Sequence, residues 1–340
     1  MNKYLTLTRV LLKNGSGFFV DKGNKRSIKE FLIPIILIVS FLPLTIGISQ
    51  FISTVYDQLV MMNQEGLILG IGLSMVSLMV FTFGILYSLN TFYFSMDIES
   101  LLYIPLKPWH IISGKFTVVL LYEYLTTAIF YGPIVITYGI KSSAGVVFYI
   151  YALIIFLLLP IIPLIIATII DMIIMRFTNI AKNKDAFRTI SSILAILIIV
   201  GFNIFIQKSV ASSGDKILEM IAEGDNSLIN LAKNIFPSSV LGVNTLVMSQ
   251  SLHGFINLIL FIILTVIVVL FFLFLGELLY FKGVIGISET YSRRKRISDK
   301  ELHKKASQGS KLITYILKEL KNLFRVPAYF INCVLVSLLT

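Results

Sequence analysis

Seven apolar runs punctuate this chain, and its basic residues alternate around them. The runs are Phe31 to Val55, Leu67 to Phe94, Phe116 to Gly139, Val146 to Met175, Thr189 to Ile206 and Phe255 to Tyr280, with a seventh from Ala328 to Thr340. Crossing a hydrocarbon core of about 30 Å takes roughly 20 apolar residues at 1.5 Å each. The first six runs come close to that length or exceed it; the seventh, of 13 residues, does not. Counted as successive crossings, the runs put 25 of the 29 lysines and arginines on one side, leaving only Lys141, Lys208, Lys216 and Lys233 opposite. Cationic loops resist translocation, so the rich side is read as cytoplasmic. The expected fold is all-α: a polytopic, multi-pass bundle in the cell membrane. It has six complete transmembrane helices plus a truncated seventh, and its N-terminus is cytoplasmic.

Composition excludes the ordinary soluble classes. Hydrophobic residues make up 56% and charged residues 14%, with a mean hydropathy of +0.89. The net charge of +11 invites a nucleic-acid reading, but the positives flank apolar runs instead of forming a basic domain. Membrane lipids with anionic headgroups are the simpler partner, and no nucleic acid is expected. Cys333 is the single cysteine, so neither a disulfide framework nor a thiolate metal site is read. The first apolar run starts only at Phe31 and is too long for a cleavable signal; it is read as a stable first span.

The chain divides accordingly. Residues 1–30 form a basic cytoplasmic lead, an interfacial helix broken at Asn14-Gly-Ser-Gly17. Residues 31–280 hold the six-span domain, with one large external loop at 207–254. In that loop Ile217, Leu218, Ile221 and Ala222 share a helical stripe, suiting amphipathic helices on the outer mouth of the bundle. Residues 281–327 are a basic cytoplasmic linker ending in an amphipathic helix, with Leu312, Ile316, Leu320 and Leu323 on one face. Residues 328–340 are the start of a further transmembrane helix, or a segment that packs as a half-helix. Pro34 and Pro43 in the first run, and Pro160 and Pro163 in the fourth, should bend their helices, as hinges or as packing irregularities.

Motifs for chemistry are sparse. There is no HExxH and no GxSxG, and His110, His253 and His303 are scattered. The pair Gly114-Lys115 is followed by Phe116, and Trp109 stands where a Walker A motif needs its first glycine, so no P-loop is present. No catalytic or metal-ligating set is read. Three acids, Glu123, Asp171 and Glu277, lie inside apolar runs and are functional suspects. They are read as lying toward the cytoplasmic ends of their runs, within reach of Lys115, Arg176 and Lys282, which makes ion pairing the first expectation. Helix-to-helix anchoring and a proton or cation path are the alternatives.

The most organised stretch runs from Asp97 to Lys115, between the second and third runs. Leu101, Leu102 and Ile104 supply an apolar face, Pro105 and Pro108 force a stiff turn, and Trp109 suits headgroup depth. Asp97, Glu99, Leu101, Leu102, Pro105, Leu106, Pro108, Ile111, Ile112, Gly114 and Lys115 together resemble the cytoplasmic stretch of ABC-2-type transporter permeases. Phe236-Pro-Ser-Ser239 is similar to an external motif of the same family, more loosely. The resemblance implies the membrane permease subunit of an ATP-driven exporter, and so no enzyme. ATP would be bound on a separate ABC ATPase subunit, and no cofactor on this chain. Asp97, Glu99, Leu101, Leu102, Pro105, Pro108 and Lys115 would be the partner-coupling residues. The second basic lead helix and the partial seventh run imply the first half of a double-length permease, working with a second half or a second copy. An ion-coupled secondary transporter, or less readily a membrane-embedded enzyme, is the alternative from the residues themselves.

Overall fold

Helices are the only elements among the described residues of the computed structural model. These residues are 3–15, 28–95, 107–177 and 238–292, with 201, 315, 316, 318 and 319 besides. A chain in hydrocarbon must satisfy every backbone donor internally, which is what a helix does. Among the described residues, four helical stretches are long and apolar enough to cross a membrane: Gly66–Tyr93, Pro108–Lys141, Val146–Arg176 and Leu252–Tyr280. The expectation of six complete spans is not supported: the described residues hold these four. The run Thr189 to Ile206 and the seventh run lie outside the described stretches, while the first run falls within a 33-residue helix, Ile28–Val60.

The elements in chain order are α1 (Lys3–Gly15), α2 (Ile28–Val60), α3 (Gly66–Tyr93) and α4 (Pro108–Lys141), then α5 (Val146–Leu158), α6 (Ile161–Phe177), α7 (Ser239–Val247) and α8 (Leu252–Ser292). Two tight turns make antiparallel neighbours. Asn63 (φ 53°) turns α2 into α3, and Ser143 (φ 48°) turns α4 into α5. Left-handed backbone is open to a short polar side chain that bonds locally. Pro108 occupies the first position of α4 after an extended Lys107, where its missing N–H has no intrahelical partner to lose. α5 stops at Leu158 and α6 begins at Ile161, so the expected proline bend is a break at Leu159–Pro160. The Leu157 carbonyl, orphaned at that break, accepts a hydrogen bond from the Tyr124 hydroxyl at 2.8 Å.

The chain forms two compact units. One comprises residues 1–171 and 205–277, the other 172–204 and 278–340. In the second, Arg176 Nη1 donates to the Leu278 carbonyl at 3.5 Å, and Lys318 Nζ stands 5.6 Å from the Tyr315 ring. In the first, α3 lies between other helices. Against α4, Gly72 faces Ile134 at 3.0 Å from its would-be Cβ, and Thr91 faces Lys115. Against α6, Gly84 faces Leu164 and Ala167. Ser74 Oγ meets Ser239 Oγ of α7 at 2.7 Å. α1 seats Leu7, Thr8 and Leu11 around Gly114 of α4, and Tyr4 Oη meets Thr117 Oγ1 at 2.7 Å. α8 touches the start of α4 through Phe272 on Phe116 (centroids 4.9 Å apart) and Gly276 on Ile112.

Candidate functional site: two buried carboxyls beside α3

Of the three acids singled out from sequence, Glu123 and Asp171 are fully buried and Glu277 is exposed. α4 runs antiparallel to α3, with Lys115 at Thr91 and Ile134 at Gly72. Glu123, eight residues beyond Lys115 and about 12 Å along the axis, therefore stands level with Phe83 of α3. That is the middle of the span, not its end, which corrects the expected position. Neither carboxyl oxygen of Glu123 has a hydrogen-bond partner, and neither does the buried Thr127 Oγ1 one turn on. Buried hydroxyls elsewhere in the bundle return their proton to the carbonyl one turn back: Ser77 to Leu73, Thr82 to Leu78, Thr168 to Leu164 and Thr265 to Phe261. Thr127 does not, and the residue one turn back from it is Glu123 itself.

Asp171 is held differently. α6 runs parallel to α3 here, with Leu164 and Ala167 on Gly84 and Asp171 on Ser88. Ser88 donates a hydrogen bond to Asp171 Oδ2, while Oδ1 has no partner. The two acids meet α3 about 8 Å apart in height, from different helices. They are two separate polar points and not one two-carboxylate centre. Among the described residues, no group of three or more His, Cys, Asp or Glu side chains could hold a metal ion.

The expected ion pairing of Glu123 with Lys115 is not formed. Lys115 is fully buried, and its ammonium donates to the Thr91 carbonyl at 2.7 Å and to Ser95 Oγ at 2.8 Å. Thr91 sits in the last turn of α3, where carbonyls lack intrahelical donors and the helix dipole is negative, and Ser95 follows just beyond it. The cation thus clamps the end of α3. Lys282, expected beside Glu277, falls outside the described side chains.

Of the seven residues expected to couple a partner, Asp97, Glu99, Leu101, Leu102 and Pro105 lie outside the described residues. Pro108 starts α4, and Lys115 points into the bundle. Sequence reading missed Ser88, Thr127 and Pro133, which lies inside α4. For Ser88, the small residues Gly84 and Ser88 spaced four apart were the available signal.

The arrangement can join helices through buried polar bonds, and it leaves acceptor capacity at Glu123 and Asp171 for a donor brought from elsewhere.

A family model described as "Putative ATP-binding cassette" matches residues 24–340. The chain belongs to that family. No curated protein and no solved structure matches it. The match overturns the identification with ABC-2-type transporter permeases, because the family is described by an ATP-binding cassette. With it fall four further expectations: the permease-subunit function, the ion-coupled alternative, the reading as a transport subunit that is no enzyme, and the assignment of ATP to a separate subunit alone. A short pattern of acids, leucines and prolines, most of it outside the described residues, carries less than a match over residues 24–340.

Proposed function

We propose that this chain acts from within the cell membrane in an ATP-dependent process of the ATP-binding cassette kind. One overlap carries the reading: the stretch matched by the family, 24–340, contains all four span-length helices. Cassette membership and membrane crossing therefore fall on the same residues. The bias of basic residues supports a cytoplasmic N-terminus. The helices offer bend points for a driven cycle, at Pro133 inside α4 and at Leu159–Pro160 between α5 and α6. The sequence nowhere contains the Gly-x-x-x-x-Gly-Lys-Ser/Thr spacing, so ATP contacts on this chain would use other residues.

The test is photolabelling with 8-azido-ATP of the complex purified from native membranes through this chain. ATP-protectable label in the preparation, located by mass spectrometry, is the expected result. A preparation in which neither this chain nor anything that co-purifies with it takes such label would overturn the proposal.

A further inference from the structure

Glu123 is a buried acid with nothing to balance a charge. Its side chain is 0% exposed, and neither carboxyl oxygen has a hydrogen-bond partner. A crossing takes roughly 20 residues, and within Pro108–Lys141 such a stretch starts no later than residue 122 and ends no earlier than residue 127. Wherever α4 sits in the bilayer, Glu123 and Thr127 are therefore within its crossing part.

The cations of the neighbouring helices are committed elsewhere or missing. On α4, Lys115 donates to Thr91 and Ser95, and Lys141 pairs with Asp57 of α2 at 2.9 Å. Residues 40–60 of α2 carry no other charge, and α3, α5 and α7 contain no lysine, arginine or histidine. The titratable groups around Glu123, among the described residues, are tyrosines. Tyr87 of α3 stands within electrostatic reach of the carboxyl, its ring 6.2 Å from that of Tyr122. Tyr124 spends its proton on the Leu157 carbonyl, and Tyr4 of α1 is bonded to Thr117. Asp171 of α6 is held by Ser88.

A desolvated carboxylate without a partner is among the costliest groups a fold can hold, whereas the acid form carries no charge. A proton also makes the group a donor. Thr127, one turn on along the same face, offers the acceptor, since its Oγ1 is the other orphan of this stretch. A proton, unlike any larger ligand, needs no cavity beside a fully buried side chain.

We propose that Glu123 is a proton-binding site, an acid held uncharged within the bilayer and open to modification by lipid-soluble carbodiimides. In that modification the carboxyl O–H adds across one C=N bond. The proton goes to nitrogen and the oxygen to the central carbon, and the acyl group then migrates to nitrogen as an N-acylurea. Nothing leaves, and no further reactant is needed. The site requires a folded, inserted chain and no nucleotide, so failure of the ATP test leaves it standing.

The experiment uses the full chain in lipid vesicles at neutral pH. Dicyclohexylcarbodiimide should label Glu123, located by peptide mass spectrometry, and a charged, water-soluble carbodiimide should leave it unlabelled. Infrared difference spectra of the wild type against Glu123→Gln should show the loss of one protonated-carboxyl C=O band. Glutamine keeps the shape and carries no charge, so the unfolding temperature of that variant should be unchanged. A carboxylate paired with a cation would lose its pairing in the variant, and the temperature would fall. Glu123 left unlabelled by dicyclohexylcarbodiimide, equal labelling by both reagents, loss of carboxylate bands in place of the acid band, or a destabilised Glu123→Gln would each overturn the proposal. The labelling arm needs no variant and stands whether or not Glu123→Gln folds.

Discussion

α3 and α8 present span-length helices of 28 and 29 residues, yet they sit in opposite surroundings. Over an 18-residue stretch of each, 61% of α3 is buried and 22% of α8, although α8 is the more apolar, at a mean hydropathy of 3.5 against 2.2. In water the greasier helix would go inside. Here the inner helix carries Gly72, Gly84, Ser74, Ser77, Thr82 and Ser88, while α8 turns Leu260, Val266, Ile267, Leu270 and Phe274 outward. Lipid tails are as apolar as leucine, so nothing drives leucine inward. Small residues let backbones approach, and hydroxyls find partners only in protein.

The strongest way to break this comparison is Gly84→Leu. A Cβ there would lie 3.0 Å from Leu164 Cδ1 and 3.4 Å from Ala167 Cβ. A full leucine must push α6 away and part Ser88 from Asp171, leaving a buried carboxyl with no donor. The expected cost is about 3 kcal/mol or more, read as lost folded yield or a collapsed Tm in detergent. Gly84→Ala should be mild, since the flexible tip of Leu164 can yield. Unchanged unfolding of the leucine variant would show that the α3–α6 seam is not close-packed.

Lys115→Met comes next. It keeps the stem but removes the hydrogen bonds to Thr91 in the last turn of α3 and to Ser95 just beyond it, so the expected loss is about 2 kcal/mol. The readout is Tm together with faster hydrogen exchange confined to the C-terminal turn of α3. Uniform exchange across the bundle would instead mark a general packing defect.

Lys115 also shows where sequence reading stops. The apolar runs at 67–94 and 255–280 mark α3 and the span-length part of α8, Leu252–Tyr280, closely, because length and greasiness alone decide what can cross. The proline break at Pro160 was legible for an equally local reason. Which face of each helix turns inward was not, since a helix apolar all round has no stripe to read. Lys115 was assigned to a partner surface from its place in a motif, whereas its ammonium donates to the Thr91 carbonyl of a helix met only through tertiary structure. Glu123 was placed near an end because the apolar run was taken to begin at Phe116, although α4 begins at Pro108. Eight further residues of helix carry the carboxyl to mid-span.

The smallest expected effect lies on α8. Leu270 is 63% exposed. Truncating it with Leu270→Ala opens no cavity, because acyl chains flow into the vacated volume, so stability should change by no more than about 0.5 kcal/mol. Phe261 on the same helix is 1% exposed and stands against Gly242 of α7, 3.7 Å from its would-be Cβ. Phe261→Ala leaves a void walled by protein and should cost about 3 kcal/mol. Measured side by side by thermal unfolding, the pair compares what lies beyond each face of one helix. Equal losses would mean that protein, not lipid, covers Leu270, and the outward assignment of α8 would fail.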